Sequence, residues 1–399
     1  MAIANNKKLN SLSFILYCFI ILISIAQVAK STIFSIKNSN NLNIDLWSFS
    51  DLLINYDAGF VRRGLIGSIV KYIDSDGILF DTVLIVIFVN FLIFIILVHA
   101  NLNIAKLSNF QKLMFHVSVF SFFNMALYGS FYARKEIFII NIFLTQLILI
   151  KYFSKKIIYL IVLIFGIISI LVHEGIGFFI LFPFNIYILS QLQFEKKQLN
   201  YFRLVNFLVF ILMYLNKGNE IIVFNLLNSF SNEDLFLFST LKDNAITVLN
   251  EGIINALRRF YVLIFSGTAI LWSIFVFFIP ISIQFITGEN LNSLLNKIKA
   301  ILFYKPDFLL IPLLFVLGWD WGRWLLTLFY FLLFIILGNL KNAQQEQLIF
   351  TFSNTIIYIV VSLLTVMPIC CLELSGTRVS SNYYRIYKSV EITIFQLFN

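Results

Sequence analysis

The sequence predicts an all-α, polytopic integral membrane protein with about eleven transmembrane helices. Three observations predict it. Hydrophobic residues make up 60% of the 399-residue chain and charged residues only 12%, with a mean hydropathy of +0.91, whereas an average soluble domain carries roughly 25% charged residues. Apolar runs approaching the about 20 residues needed to cross a hydrocarbon core recur along the whole chain. Those runs are continuous Leu, Ile and Phe, not an alternation of apolar and polar positions, which selects helices over a transmembrane β-barrel.

The spans fall at about 12–29, 79–99, 113–131, 137–150, 157–172, 177–192, 203–216, 260–285, 306–319, 324–340 and 348–369. The first run follows Lys7 and Lys8, and its 18 residues exceed the h-region of a signal peptide, which is about 7 to 15 residues long. It reads as an uncleaved span. Lys151, Lys155 and Lys156 precede the stretch 157–192, and Lys196, Lys197 and Arg203 follow it. Both basic clusters lie in the cytoplasm, as the positive-inside rule asks, only if that stretch crosses twice. Residues 1–399 then form a single transmembrane domain with the N terminus inside. Two long outer loops, about 30–78 and 217–259, and an outer tail 370–399 complete the layout.

On this topology Arg62, Arg63, Arg134, Arg258, Arg259, Arg323, Arg378 and Arg385 face outward, and only Arg203 faces inward. The inner loops use Lys instead. Arg presents a planar fork that binds phosphate or carboxylate through two parallel hydrogen bonds, which the point charge of Lys does not. Ion pairing with the outer acids is the plainer explanation and stays open.

Four outward clusters carry candidate chemistry. Asn55-Tyr56-Asp57-Ala58-Gly59-Phe60-Val61-Arg62-Arg63-Gly64 joins a carboxylate, two arginines and turn-forming glycines; an interfacial helix with snorkelling arginines is the alternative. Arg134-Lys135-Glu136 opens a run of 14 residues, about 21 Å of helix against a hydrocarbon core of roughly 30 Å. Charged groups at such recessed ends face a watery cavity or each other. His173-Glu174-Gly175 lies at a second recessed end, with a packing role for the histidine as the alternative. Asp320 and Arg323, three apart within Gly318-Trp319-Asp320-Trp321-Gly322-Arg323-Trp324, share a helix face,. The tryptophans there fit an interfacial belt or a stacking surface for sugar rings.

Several classes are excluded. No GxxxxGK or GxGxxG loop, no HExxH and no cysteine pair with metal spacing occurs,. The net charge of +9 follows from cytoplasmic lysines and does not indicate nucleic acid. Cys18, Cys370 and Cys371 supply neither a disulfide framework nor a zinc site,. No cofactor is implied; a divalent cation at a lipid phosphate is compatible with the chemistry but no residue pattern indicates one. With no cytoplasmic nucleotide-binding domain, an outer active site takes a substrate presented at the outer face. A polyprenyl-phosphate-linked sugar meets that condition.

The layout resembles the C-type glycosyltransferase superfamily of multispanning enzymes, which carry an essential Asp in a long outer loop after the first span and a second long outer loop between the seventh and eighth. Asp57 lies in the first and residues 217–259 form the second. The chain also looks like the O-antigen and capsule polymerases, which are variable Phe- and Ile-rich membrane proteins. Both resemblances imply a bacterial inner-membrane protein of surface polysaccharide biosynthesis, in which an acceptor hydroxyl attacks the anomeric carbon of a lipid-linked donor. Its partners are then the bilayer, the polyprenyl-linked saccharide and other polysaccharide-assembly membrane proteins.

On that reading Asp57 is the general base and Arg62, Arg63, Arg134 and Arg323 stabilise the leaving phosphate. Glu136 belongs to the substrate-binding group. His173 and Glu174 are second choices for acid, base or sugar orientation, and Asp320 orients Arg323. A transporter or flippase, or a non-catalytic assembly subunit, is the competing class; transporters show repeated halves and midplane binding groups, and no internal repeat is visible.

Overall fold

In the computed structural model the described residues are 2–37, 46–57, 59–74, 79–118, 121, 130–228, 245–246, 249, 268–317 and 321–339. Among them there is no strand. The helices are α1 (Ala2–Lys37), α2 (Leu46–Leu53), α3 (Gly64–Ile73), α4 (Leu79–Ile104), α5 (Asn109–Val117), α6 (Lys135–Leu149), α7 (Lys155–Val172) and α8 (Glu174–Gln191). They continue with α9 (Lys196–Leu215), α10 (Glu220–Asn228), α11 (Thr268–Thr287), α12 (Leu291–Leu302), α13 (Leu310–Leu317) and α14 (Trp321–Asn339).

Five of the described helices are long and apolar enough to cross a membrane: Ser11–Ile36 of α1, Asp81–Ile104 of α4, α7, α8 and α9. Gly64–Ile73, Phe278–Thr287, Pro306–Val316 and Arg323–Gly338 are shorter apolar segments. The predicted span 113–131 does not run on as one helix, because α5 stops at Val117 and the extended Ser118 caps it. The span 348–369, the tail 370–399, Asp320 and most of the second long loop lie outside the described residues.

Exposed apolar side chains recur at helical spacing: Ile85, Val89, Ile93 and Ile96 on α4, Ile157, Leu160 and Ile164 on α7, and Leu204, Leu208 and Leu212 on α9. Stripes of this extent suit contact with lipid, where they cost nothing. By contrast α8 is buried almost throughout, and so is α14 from Trp324 to Leu337. These two helices and α6 form the centre.

The central three run parallel and in step. Gln146 of α6 donates to Asn185 of α8 at 2.8 Å, and each is the twelfth residue of its helix. One layer away, Phe331 of α14 packs on Phe143 and Phe184. All three helices therefore begin at the same level. Inside α8 the hydrogen-bond ladder widens to a π pattern over Gly177–Leu181. Pro183 offers no N–H to the turn before it, a sufficient cause for the widening. Gly177 is needed where it stands, since a Cβ there would lie 2.5 Å from the Ser169 carbonyl carbon of α7.

The opposite ends gather the lysines. Lys155 donates to the carbonyl of Gln193, and Tyr159 of α7 to that of Gln198 of α9. Arg203, the one arginine assigned to this side, forms a two-pronged pair with Asp307 at 2.8 Å on both prongs.

Candidate functional site

Four helices begin at one place, and their first residues are the charged ones: α3 after Arg63, α6 at Lys135-Glu136, α8 at Glu174, and α14 with Arg323 in its first turn. Unpaired backbone N–H groups at these N-termini add positive potential, which favours the carboxylates of Glu136 and Glu174 there. The short helix α2 lies against them. It contributes Asp51, buried between Ser50 and Leu52.

Arg63 is the centre of the cluster. Its Nε lies 3.0 Å from Glu174 Oε2 and its Nη2 3.1 Å from Oε1, a fork on a carboxylate. Its Nη1 stands 3.9 Å from Asp51 Oδ1. Its carbonyl accepts from Lys135 Nζ at 2.8 Å, and the same ammonium is 3.5 Å from Asp51 Oδ1. The backbone of Arg63 is left-handed, with φ 66° and ψ 9°. A side chain other than Gly, Asn or Asp adopts that conformation only when its surroundings enforce it, and such positions concentrate at functional sites. Here Gly64 and Gly67 make it feasible. A Cβ on Gly64 would collide with the Tyr56 ring, and one on Gly67 with the carbonyl of Ile54.

Arg62 completes the cationic side. Its Nη1 is 3.5 Å from Glu174 Oε1, its Nη2 donates to the Leu249 carbonyl at 2.9 Å, and its backbone N–H donates to the Asn216 carbonyl. The Ala245 N–H donates to Ser50 Oγ of α2. The described part of the second long loop thus packs on the first. Across the cluster Arg323 Nη1 pairs with Glu136 Oε1 at 3.1 Å.

Burial alone would raise the Asp51 carboxyl, but Lys135 and then Arg63, with His173 and Arg323 behind them, hold it below the usual carboxylate range,. Asp51 is an anion at neutral pH, and its Oδ1 faces two cations, Lys135 and Arg63. His173 is held neutral: burial and the neighbouring Arg63 lower it to about 4 against the pull of Glu174, Glu136 and Asp51. Its Nδ1 accepts from the Ile176 N–H at 3.4 Å, capping α8. The ring proton of the neutral form therefore sits on Nε2, where it can be donated.

The structure brings together Arg62, Arg63, Glu136, His173, Glu174 and Arg323 of the residues singled out in the sequence. Arg134 is buried beside Lys135 as the N-cap of α6. Asp57 stands apart, half-exposed and paired with Lys71 of α3. Asp320 lies outside the described residues. Two members were not singled out. Asp51 was visible as the lone acid in the apolar segment Leu46–Leu53, and Lys135 as the middle of Arg134-Lys135-Glu136. Among the described residues no group of three or more His, Cys, Asp or Glu side chains is placed to hold a metal ion.

Comparison with protein-family models, with curated proteins and with solved structures finds no match. What the fold defines is a helical protein whose apolar helices fit a membrane. What the site defines is a buried cluster of guanidinium, ammonium and carboxylate groups at one end of its central helices.

Proposed function

We propose that this chain is a multispanning enzyme of the bacterial inner membrane that transfers a sugar or oligosaccharide from a polyprenyl-phosphate-linked donor on the outer face, in surface polysaccharide biosynthesis. The eleven-span layout, with the N terminus in the cytoplasm and the C terminus in the periplasm, belongs to this proposal. The observation that carries it is the cluster itself: Arg62, Arg63 and Lys135 around Asp51 and Glu174, at the end of the helices opposite Lys155 and the start of α9. An amphiphile with an anionic head and an apolar tail matches charges recessed at the end of membrane helices.

In the transfer, the acceptor hydroxyl oxygen forms a bond to the anomeric carbon while the bond from that carbon to the phosphate oxygen breaks. The electron pair leaves with the polyprenyl phosphate, whose growing charge Arg62, Arg63 and Arg323 stabilise. Asp51, ionised and paired through Oδ1 with Lys135 and Arg63, orients the hydroxyl and receives its proton. In this reading Asp51 takes the role first given to Asp57, because Asp51 stands beside the cations. Neutral His173 donates from Nε2 to a sugar or phosphate oxygen.

Membranes containing the overproduced protein, supplied with radiolabelled polyprenyl-linked saccharide, test this directly. Product is expected from the wild type and not from Arg63→Ala at equal abundance. Equal product in membranes lacking the protein would sink the proposal.

A further inference from the structure

The fork between Arg63 and Glu174 has an asymmetry. Arg63 is fixed without Glu174: Asp51 faces its Nη1 and Lys135 binds its carbonyl. Arg62 is fixed likewise, by the Leu249 carbonyl on Nη2 and the Asn216 carbonyl on its backbone. The Glu174 carboxylate, in contrast, takes its direct contacts among the described residues from these two arginines, with Lys135 and His173 acting on it only electrostatically. The arginine side chains are also the more open partners, 18% and 23% exposed against 10% for Glu174. Removing Glu174 from the fork would leave both guanidinium groups in place, each still partly open to solvent.

A carboxylate on an arginine fork presents two oxygens in the geometry that two phosphate oxygens adopt. We infer that Glu174 is a built-in competitor for the anionic head of the substrate and sets the specificity of the site. This rests on the proposed function. A monoanionic carboxylate that displaces Glu174 exchanges one ion pair for an equivalent one and leaves Glu174 without its partners. A diphosphate brings more charge and more acceptor oxygens, so it displaces Glu174 with a net gain. Selection thus comes from an element that opposes the wrong ligand as well as from contacts to the right one. The site therefore takes diphosphate-linked donors, whose leaving group is the polyprenyl diphosphate, in preference to monophosphate-linked ones, fatty acids or other monoanionic amphiphiles of the bilayer.

The full-length protein in nanodiscs tests this by direct binding of farnesyl diphosphate and of farnesoate, which has the same tail on a carboxylate. The wild type is expected to bind the diphosphate at least 100-fold more tightly. In Glu174→Gln the diphosphate should bind about tenfold more tightly, and farnesoate should gain still more, so that the ratio narrows at least tenfold. Glu174→Asp, which keeps the charge on a shorter arm, should fall between. A folded Glu174→Gln with unchanged ratio, or with weaker diphosphate binding, overturns the inference and leaves Glu174 as a structural partner. If the Gln variant does not fold, infrared difference spectra of the wild type decide: farnesyl diphosphate must shift a carboxylate stretch, and a spectrum without that change overturns the inference. Absence of diphosphate binding by the wild type overturns the functional reading and this one with it.

Discussion

The guanidinium of Arg63 and the carboxylate of Glu174, 111 residues apart in the chain, meet in a fork with contacts of 3.0 to 3.2 Å. Geometry and not charge alone holds such a pair. Arg63→Lys keeps the charge and loses the fork, so one contact to Glu174 remains at best. The variant should weaken farnesyl diphosphate binding by about 10- to 100-fold, the scale of one charge-assisted hydrogen bond. Arg323→Lys, facing Glu136 through one nitrogen at 3.1 Å, should lose less. Equal binding by wild type and Arg63→Lys would return Arg63 to the role of a general cation.

Asp51 and Asp57 are six positions apart and differ in surroundings: one is buried beside Lys135 and Arg63, the other half-exposed on Lys71. Asp51→Asn should abolish saccharide transfer at unchanged protein level, whereas Asp57→Asn should retain more than half of it. The assay is lipid-linked product formed by membranes of each variant. The reverse order of activities would restore Asp57 as the catalytic carboxylate.

The pH dependence of stability isolates His173. Its folded-state value of about 4 lies below the unfolded value of about 6.5. The unfolded chain therefore binds the extra proton as pH falls between these values, and stability is lost across that window. Above about 6.5 and below about 4 this residue adds no slope. Thermal unfolding in detergent between pH 7 and 4 should show a steeper loss for the wild type than for His173→Gln. Parallel curves would contradict the neutral buried imidazole.

Two glycines make a matched pair for the Arg63 turn. Gly67→Ala forces a methyl into the Ile54 carbonyl and should cost about 1–3 kcal/mol; a Cβ on Gly338 of α14 meets nothing within 4 Å. Gly338→Ala should be neutral or stabilising by up to about 1 kcal/mol, since Ala is the better helix former. Denaturation midpoints of the two variants check the contrast. Similar midpoints would mean that the turn adapts more freely than its close approach implies.

The Gln146–Asn185 amide pair lies wholly within the helical core. Either single change to Leu leaves the other amide buried without its partner and should cost about 1–2 kcal/mol, while the double change should recover most of that. A double variant no better than the worse single one would show that the two side chains do not act as a pair.

Much of the site was legible because charge inside an apolar sequence is conspicuous. Arg62, Arg63, Glu136, His173, Glu174 and Arg323 each stand out at the edge of an apolar run. The placement of Asp51, and not Asp57, beside the cations was not legible. Closeness in sequence favoured Asp57, next to Gly59 and Arg62, but the left-handed backbone at Arg63 turns that guanidinium back onto α2. Lys135 stood in the cluster Arg134-Lys135-Glu136 but was given no role of its own. In the fold, long helices such as α4 and α9 followed from apolar length. The end of α5 at Val117 did not, since Ser118 breaks the helix by backbone geometry inside a stretch that remains apolar. The amphipathic α12, with Leu294, Ile298 and Ile301 buried on one face, has no span-like signal at all.

The bond from Lys135 to the Arg63 carbonyl ties the first residue of α6 to a loop 72 residues earlier in the chain. α6 has only 15 residues, about 22 Å at 1.5 Å per residue, and is packed against α8 and α14 at the centre, so a change in that packing displaces it along its axis. Any such displacement is transmitted through one ammonium group to the backbone that aims the Arg63 fork. The packing of the central helices thereby becomes a mechanical input to the charged cluster, acting without a regulatory ligand.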